Sequence, residues 1–209
     1  MIFPVVDAYL GLDNANSYLA STQLDRIAAE AGASFNWIPL VGDDLLTSGH
    51  ISSDGKAPPQ YGSLYSREDA AAWAEMYGVR FRDPTGRLSF DPRLLARAAF
   101  AAGPELRVAM MMRLFGAVFV DSRSTIDAED CITWAEQIGL DAATFRKSLT
   151  DPVLETDRLA QTERARGRGV FGLPFFIAGS RSFFGNDRLV LLEHHLKTMP
   201  RDLRQQQAG

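Results

Sequence analysis

Two short runs near the C-terminus and one turn near the N-terminus carry the groups best placed for chemistry. In Gly169-Val-Phe-Gly-Leu-Pro-Phe-Phe-Ile-Ala-Gly179, Pro174 leads an apolar stretch that reads as a strand. Proline cannot donate to a sheet ladder, so it leaves a gap in the pairing that a ligand's backbone can fill. A cis X-Pro bond costs only about 0.5–1 kcal/mol, and a cis Leu173-Pro174 bond would turn its neighbours' backbone groups toward the start of the first helix. The second run, Phe183-Phe-Gly-Asn-Asp-Arg-Leu189, opens the last helix. Asn186 or Asp187 can cap that helix. Equally, a helix start offers free N–H groups to an anion, and Asp187 offers a carboxylate to an ammonium. Asn14 precedes the first helix, where it is a good N-cap. Its amide is also a hydrogen-bond donor, and a helix start favours a thiolate.

The elements that must position these groups are legible from pattern. Residues 2–12 are apolar and β-branched enough for a strand. Ala20, Leu24, Ile27, Ala28 and Ala31 then mark one helix face, which Gly32 ends. Phe35–Leu40 is a second short strand. The order β-α-β is followed at the far end by β-β-α, which predicts a thioredoxin-like α/β fold in which the chain leaves the sheet after residue 40 and returns near 170. Residues 41–66 read as a long irregular loop rich in Gly, Ser and Asp, with a Pro58-Pro59 pair. Residues 67–166 read as an all-helical insertion, with Ala70, Trp73, Ala74 and Tyr77 on one stripe closed by Gly78. Pro92 and Pro104 sit at first-turn positions, and Asp141 and Pro152 open two further helices. The run Leu106–Val120 is too short and too charged to span a membrane and is expected to be a buried central helix. The expected division is 1–66 with 167–200 as the thioredoxin-like domain, 67–166 as the helical insertion and 201–209 as a frayed tail.

Composition narrows the chemistry. With 209 residues, 46% hydrophobic and a net charge of −4, the chain has no general affinity for nucleic acid or anionic membrane. The N-terminus lacks the basic region and cleavage site of a signal peptide, so cytoplasmic location is expected. Cys131 is the single cysteine, which excludes a Cys-x-x-Cys redox pair in this chain. It shares a helical stripe with Trp134, Ala135 and Ile138 and is expected in the core. His194 and His195 are read as one surface and one packing residue, and no metal-ligand cluster is expected.

The Gly-Val-Phe-Gly-Leu-Pro and Phe-Gly-Asn-Asp-Arg runs resemble the 2-hydroxychromene-2-carboxylate isomerase and kappa-class glutathione transferase family, a DsbA-like branch of the thioredoxin-fold superfamily. The resemblance is strongest over 167–197 and extends to Tyr65, Asp69, Trp73 and Tyr77-Gly78. It implies glutathione as cofactor. The backbone of Leu173, beside Pro174, would pair with the cysteinyl part, and the γ-glutamyl end would lie at Asn186 and Asp187. It also implies a small aromatic substrate, isomerised through addition of the thiolate, and a homodimer. Conjugation by a kappa-like transferase is the near alternative.

Two departures stand against the family pattern. Relatives carry Ser-Pro-aromatic at the first helix start. Aligned on Ser17-Tyr18-Leu19-Ala20, those positions are Asn14, Ala15 and Asn16. Asn14 either takes the serine's place as donor to the glutathione sulfur or serves only as an N-cap, in which case the chain is a catalytically degenerate binding protein. A family lysine for the glycine end of glutathione falls on Gly62, with Lys56 or Arg67 as substitutes. His50, Lys56 and Tyr61 are further loop residues able to line a second-substrate pocket.

Overall fold

The computed structural model describes residues 4–45, 59–84 and 88–199, with the backbone alone for 59–64. Strand β1 (Val5–Gly11) pairs in parallel with β2 (Ser34–Leu40) and antiparallel with β3 (Phe175–Ala178), which pairs antiparallel with β4 (Arg181–Phe184). The order β2-β1-β3-β4 places β1 and β3 at the centre. Strand periodicity sorts β1 onto two faces. Val6, Ala8 and Leu10 meet Leu19, Leu24 and Ile27 of α1 (Ala15–Ala31), together with Leu192 and Leu196 of α9 (Leu189–Thr198). Tyr9 points the other way, into a smaller core with Ile38, Phe175 and Ile177. Helix α1 ends where expected, at Gly32 in the left-handed region with φ +61°.

Between the two halves of the sheet lie α2 (Gly42–Leu45), α3 (Pro59–Tyr77), α4 (Pro92–Ala101), α5 (Gly103–Phe119), α6 (Ala128–Gln137), α7 (Ala142–Thr150) and α8 (Pro152–Gly167). The expected loop over 41–66 is therefore corrected at both ends. Gly42–Leu45 form a helical turn, and helix α3 already starts at Pro59. A first-turn proline suits a helix as well as a loop, because the N–H it lacks would have no partner there. The helical insertion begins at 59, not 67.

The insertion is not a separate packing unit. Sheet residues Val6 and Ala8 belong to the same core as Leu95, Phe115, Phe119, Trp134 and Phe145. Helix α5 buries Met110, Met111, Leu114, Phe115 and Val118 but leaves Val108 and Met112 exposed, so it is central with one wet side. Cys131 is fully buried in this core, and burial first, then Asp130 and Asp127, pushes its thiol up to about 12. It stays protonated and has no nucleophilic role.

A charged cluster ties α2 to the insertion. Asp44 receives Arg158 Nη1 at 2.5 Å and Arg93 Nη2 at 2.6 Å, and its carbonyl accepts from Arg166. Arg158 is only 1% exposed and also holds Glu155 through Nε at 2.9 Å and Nη2 at 2.7 Å. Burial pulls the Asp44 carboxyl upward, but Arg158 and Arg93 outweigh it and hold its pKa below the ordinary value.

Candidate functional site

The Leu173-Pro174 bond is cis. The two C-terminal runs meet at this bond, because Gly185 N donates to Pro174 O at 3.0 Å. The β1–α1 turn meets them from the other side. Gly11 leaves room there: a Cβ on it would lie 3.0 Å from Leu173 Cδ1 and 3.2 Å from Asn14 Cβ. Gly11 N donates to the buried Ser17 Oγ at 3.1 Å, and Asn14 N donates to Gly11 O at 3.1 Å. The close approach of Asn14 to the cis bond, expected from the sequence, is thus built on a residue without a side chain.

Asn14 caps α1: its Oδ1 accepts from Ser17 N at 2.8 Å. That bond uses the oxygen of the amide and leaves Nδ2 without a partner among the described residues. Capping and donation to a ligand therefore involve different atoms, and the two sequence readings of Asn14 do not exclude each other.

The turn Asn186–Arg188, a single 3-10 turn running into α9, has no side-chain cap. The capping role open to Asn186 or Asp187 is not taken up. Asn186 is 3% exposed, and its Oδ1 accepts from Tyr77 Oη of α3 at 3.2 Å. Its Nδ2 is buried without a partner among the described residues. The amide is thus turned inward, and Asn186 can serve a ligand here through its backbone. The Asp187 carboxylate folds back over Gly185, where a Cβ would stand 2.5 Å from Asp187 Oδ1. Gly185 also has φ +105°, so it is required twice over. Arg188 Nη1 lies 3.6 Å from Asp187 Oδ2.

A cleft of about 420 Å³ opens between these parts. Leu173, Asn186 and Asp187 line it, as do Phe184 and Arg188, and α3 contributes Tyr65, Asp69 and Trp73. Asn14 and Pro174 are not part of this lining, whereas Asn16, two residues into α1, is. From the sequence, Asn16, Tyr65 and Asp69 stood out only through the family resemblance, and Trp73 through that and its helical stripe; none of the four was expected in a site. The signal for three of them was present: spacings of four place Tyr65, Asp69 and Trp73 on one helix face.

Other candidates fall elsewhere. Arg67 pairs with Asp83 at 2.9 Å and does not line the cleft. His50 and Lys56 lie outside the described residues, as do the side chain of Tyr61 and the surroundings of Gly62. His194 is exposed, while His195 packs its ring 5.8 Å from that of Phe183. Among the described residues no group of His, Cys, Asp or Glu is arranged to hold a metal, and no helix is long and apolar enough to cross a membrane.

A four-stranded sheet with a cis-proline at the entry to β3 and a helical insertion after β2 defines a thioredoxin-type protein of the inserted kind. The family model for the DSBA-like thioredoxin domain matches residues 15–197, and the chain belongs to that family. It is 26% identical over 196 residues to 2-hydroxychromene-2-carboxylate isomerase of Sphingobium xenophagum, covering 91% of this chain and 97% of that protein. It is 27% identical over 195 residues to the protein of the same name from Pseudomonas putida, covering 90% of this chain and 92% of the other. A solved 2-hydroxychromene-2-carboxylate isomerase shares the fold with a TM-score of 0.80 at 24% identity, with 97% of each chain covered. The cytosolic disulfide reductase DsbM of Pseudomonas aeruginosa shares it more loosely, with a TM-score of 0.60 at 21% identity over 96% of this chain and 95% of that one.

Proposed function

We propose that this protein is a glutathione-dependent isomerase of the 2-hydroxychromene-2-carboxylate type, acting on an aromatic-ring metabolite. The observation that carries the reading is the meeting of three parts at one cleft: Leu173 at its cis bond, the uncapped turn Asn186–Arg188 and the first turn of α1. Relatives bearing the isomerase name align over nine-tenths of the chain, which supports the same reading.

The residues present fit the γ-glutamyl and cysteinyl parts of the tripeptide. The N–H groups at the start of the Asn186–Arg188 turn, which no side chain caps, suit the γ-glutamyl carboxylate, and the Asp187 carboxylate suits its ammonium. Leu173, preceding Pro174, offers its backbone to the cysteinyl part as a strand neighbour would. The positive end of α1 favours a thiolate, and Asn14 Nδ2, which has no partner among the described residues, is the donor this reading assigns to it. When bound, glutathione supplies a thiolate that adds to the substrate, permits rotation about a former double bond and leaves again. The protein's part is to hold that sulfur ionised and to orient the second reactant against it.

Calorimetric titration with glutathione, paired with an ultraviolet assay of 2-hydroxychromene-2-carboxylate turnover, tests the reading. Asp187→Ala should weaken glutathione binding by about 1–3 kcal/mol, the range for a charged hydrogen bond. An unchanged dissociation constant would remove Asp187 from the site. Binding without turnover would leave a thioredoxin-fold binding protein in place of an enzyme.

A further inference from the structure

Strand β4 and helix α9 are joined at one end by the turn that lines the cleft, and His195 joins them at the other. Arg181, the first residue of β4, brings Nη1 to 3.4 Å from His195 Nδ1, and the Phe183 ring lies 5.8 Å from the imidazole. A guanidinium can only donate. The contact therefore exists only while Nδ1 keeps its lone pair, which places the ring's one proton on Nε2. That nitrogen is buried and has no partner among the described residues. A second proton would have to go onto Nδ1, against the donor that now uses it. It would also charge a half-buried ring whose other N–H is already unanswered.

Among the described residues no carboxylate is free to offset that charge. The groups that act on His195 are Arg181 from β4 and His194 from its own helix. Strand β3 brings only apolar residues. Glu30 of α1 and Glu193 of α9 are taken by Arg26 and Lys197, and Asp187 of the turn lies beside Arg188. Burial first, then Arg181 and His194, holds the His195 pKa below its ordinary value of 6.5. A folded value below the unfolded one means that the contact's share of stability is whole above 6.5 and is lost as pH falls through the folded value.

We infer that His195 is a proton-operated latch on the cleft: neutral, it clamps α9 to β4 and keeps the turn Asn186–Arg188 in place; protonated, it repels Arg181 and lets that turn loosen. The effect on ligand affinity rests on the glutathione reading above, and the latch itself does not.

Nitrogen NMR of the wild-type imidazole checks the starting state. At about pH 7.5 His195 should be neutral with its proton on Nε2. A charged ring, or a proton on Nδ1, would overturn the inference. Amide hydrogen exchange, corrected for its intrinsic pH dependence, then reads the latch. Between about pH 7.5 and about pH 5, protection over residues 181–192 should fall about fivefold in the wild type, the worth of one hydrogen bond. The fall should persist in His194→Gln and vanish in His195→Gln, which cannot take the proton. Level protection in the wild type, or an equal fall in His195→Gln, would overturn the latch. Calorimetry with S-methylglutathione, which has no thiol to titrate, completes the test. Its affinity should drop over the same interval in the wild type and hold in His195→Gln. Binding that ignores pH would also overturn the latch. A protein that binds none at either pH would remove the glutathione reading and leave the latch to the exchange result.

Discussion

The Arg158 cluster and the cleft both place polar side chains away from bulk water, yet they are built in opposite ways. Around Arg158, three guanidinium nitrogens each engage a carboxylate oxygen, and Asp44 answers two arginines at once. Around the cleft, among the described residues, Asn14 and Asn186 each bond through the oxygen and leave the nitrogen unpaired, and Asn16 is unpaired at both ends. A buried charge without a partner is too costly to keep, so Arg158, answered at all three guanidinium nitrogens, marks a place that holds the fold. Neutral amides without a partner beside an open cleft cost less, and they are the groups that the proposed glutathione site would use. The difference also separates stability from binding, and substitutions can test that separation.

The largest effect should come from Asp44→Ala. It leaves Arg158 and Arg93 without a shared carboxylate, one of them buried, and should cost about 3 kcal/mol in chemical denaturation. Because Asp44 is not part of the cleft lining, glutathione affinity in the folded protein should stay close to wild type. An equal loss in both measurements would erase the contrast between the two regions.

Asn14→Ala should show the reverse. Removing a donor acting on developing charge costs on the order of 10²-fold in rate, while loss of the cap costs about 1 kcal/mol in stability. Asn14→Ser keeps the cap and supplies a hydroxyl, so it should retain activity. Ultraviolet titration of the bound thiol in wild type and Asn14→Ala checks the cause. A thiol pKa equal to that of free glutathione in both proteins would mean that no thiolate site exists.

Tyr77→Phe lies between the two regions. It removes the O–H that satisfies Asn186 Oδ1 and leaves a buried amide with no partner, at a cost of about 1 kcal/mol in stability. Since that bond joins α3 to the start of the Asn186–Arg188 turn, the dissociation constant for glutathione should also rise. A change in stability alone would place Tyr77 with the Arg158 cluster.

The smallest effect concerns pH. Glu193 on α9 is held by Arg26 of α1 and by Lys197, in that order, which lowers its pKa from 4.5 to about 2. The folded value is depressed, so the group's contribution to stability is fully present above 4.5 and is lost as pH falls toward 2. Tm measured across that window should fall less in Glu193→Gln than in wild type. Added salt should narrow the gap, because Arg26 and Lys197 are exposed and screened.

Much of this was written in local pattern. The strands, the α1 cap at Asn14, its stop at Gly32, the buried stripe of Cys131 and the cis Leu173-Pro174 bond each depend on a few neighbouring residues and could be read from them. The start of α3 was misread because the composition around Pro59 fits a loop and a first helical turn alike. What one core covers, and which amide ends are used, depends on residues far apart in the chain. Asn186 turns inward because Tyr77, 109 positions earlier, offers it a hydroxyl. Asp44 and Arg158 find each other across 114 positions. Leu173 packs against the side-chain-free Gly11, and Asn16 rather than Asn14 enters the cleft lining. By itself the sequence determined most of the secondary structure, though not α2 or the start of α3, and the types of group at the site, since periodicity, caps and turn residues act over short spans. Only the tertiary structure decided which of those groups are satisfied within the protein and which remain free, because hydrogen bonding is settled by distances that no local pattern contains.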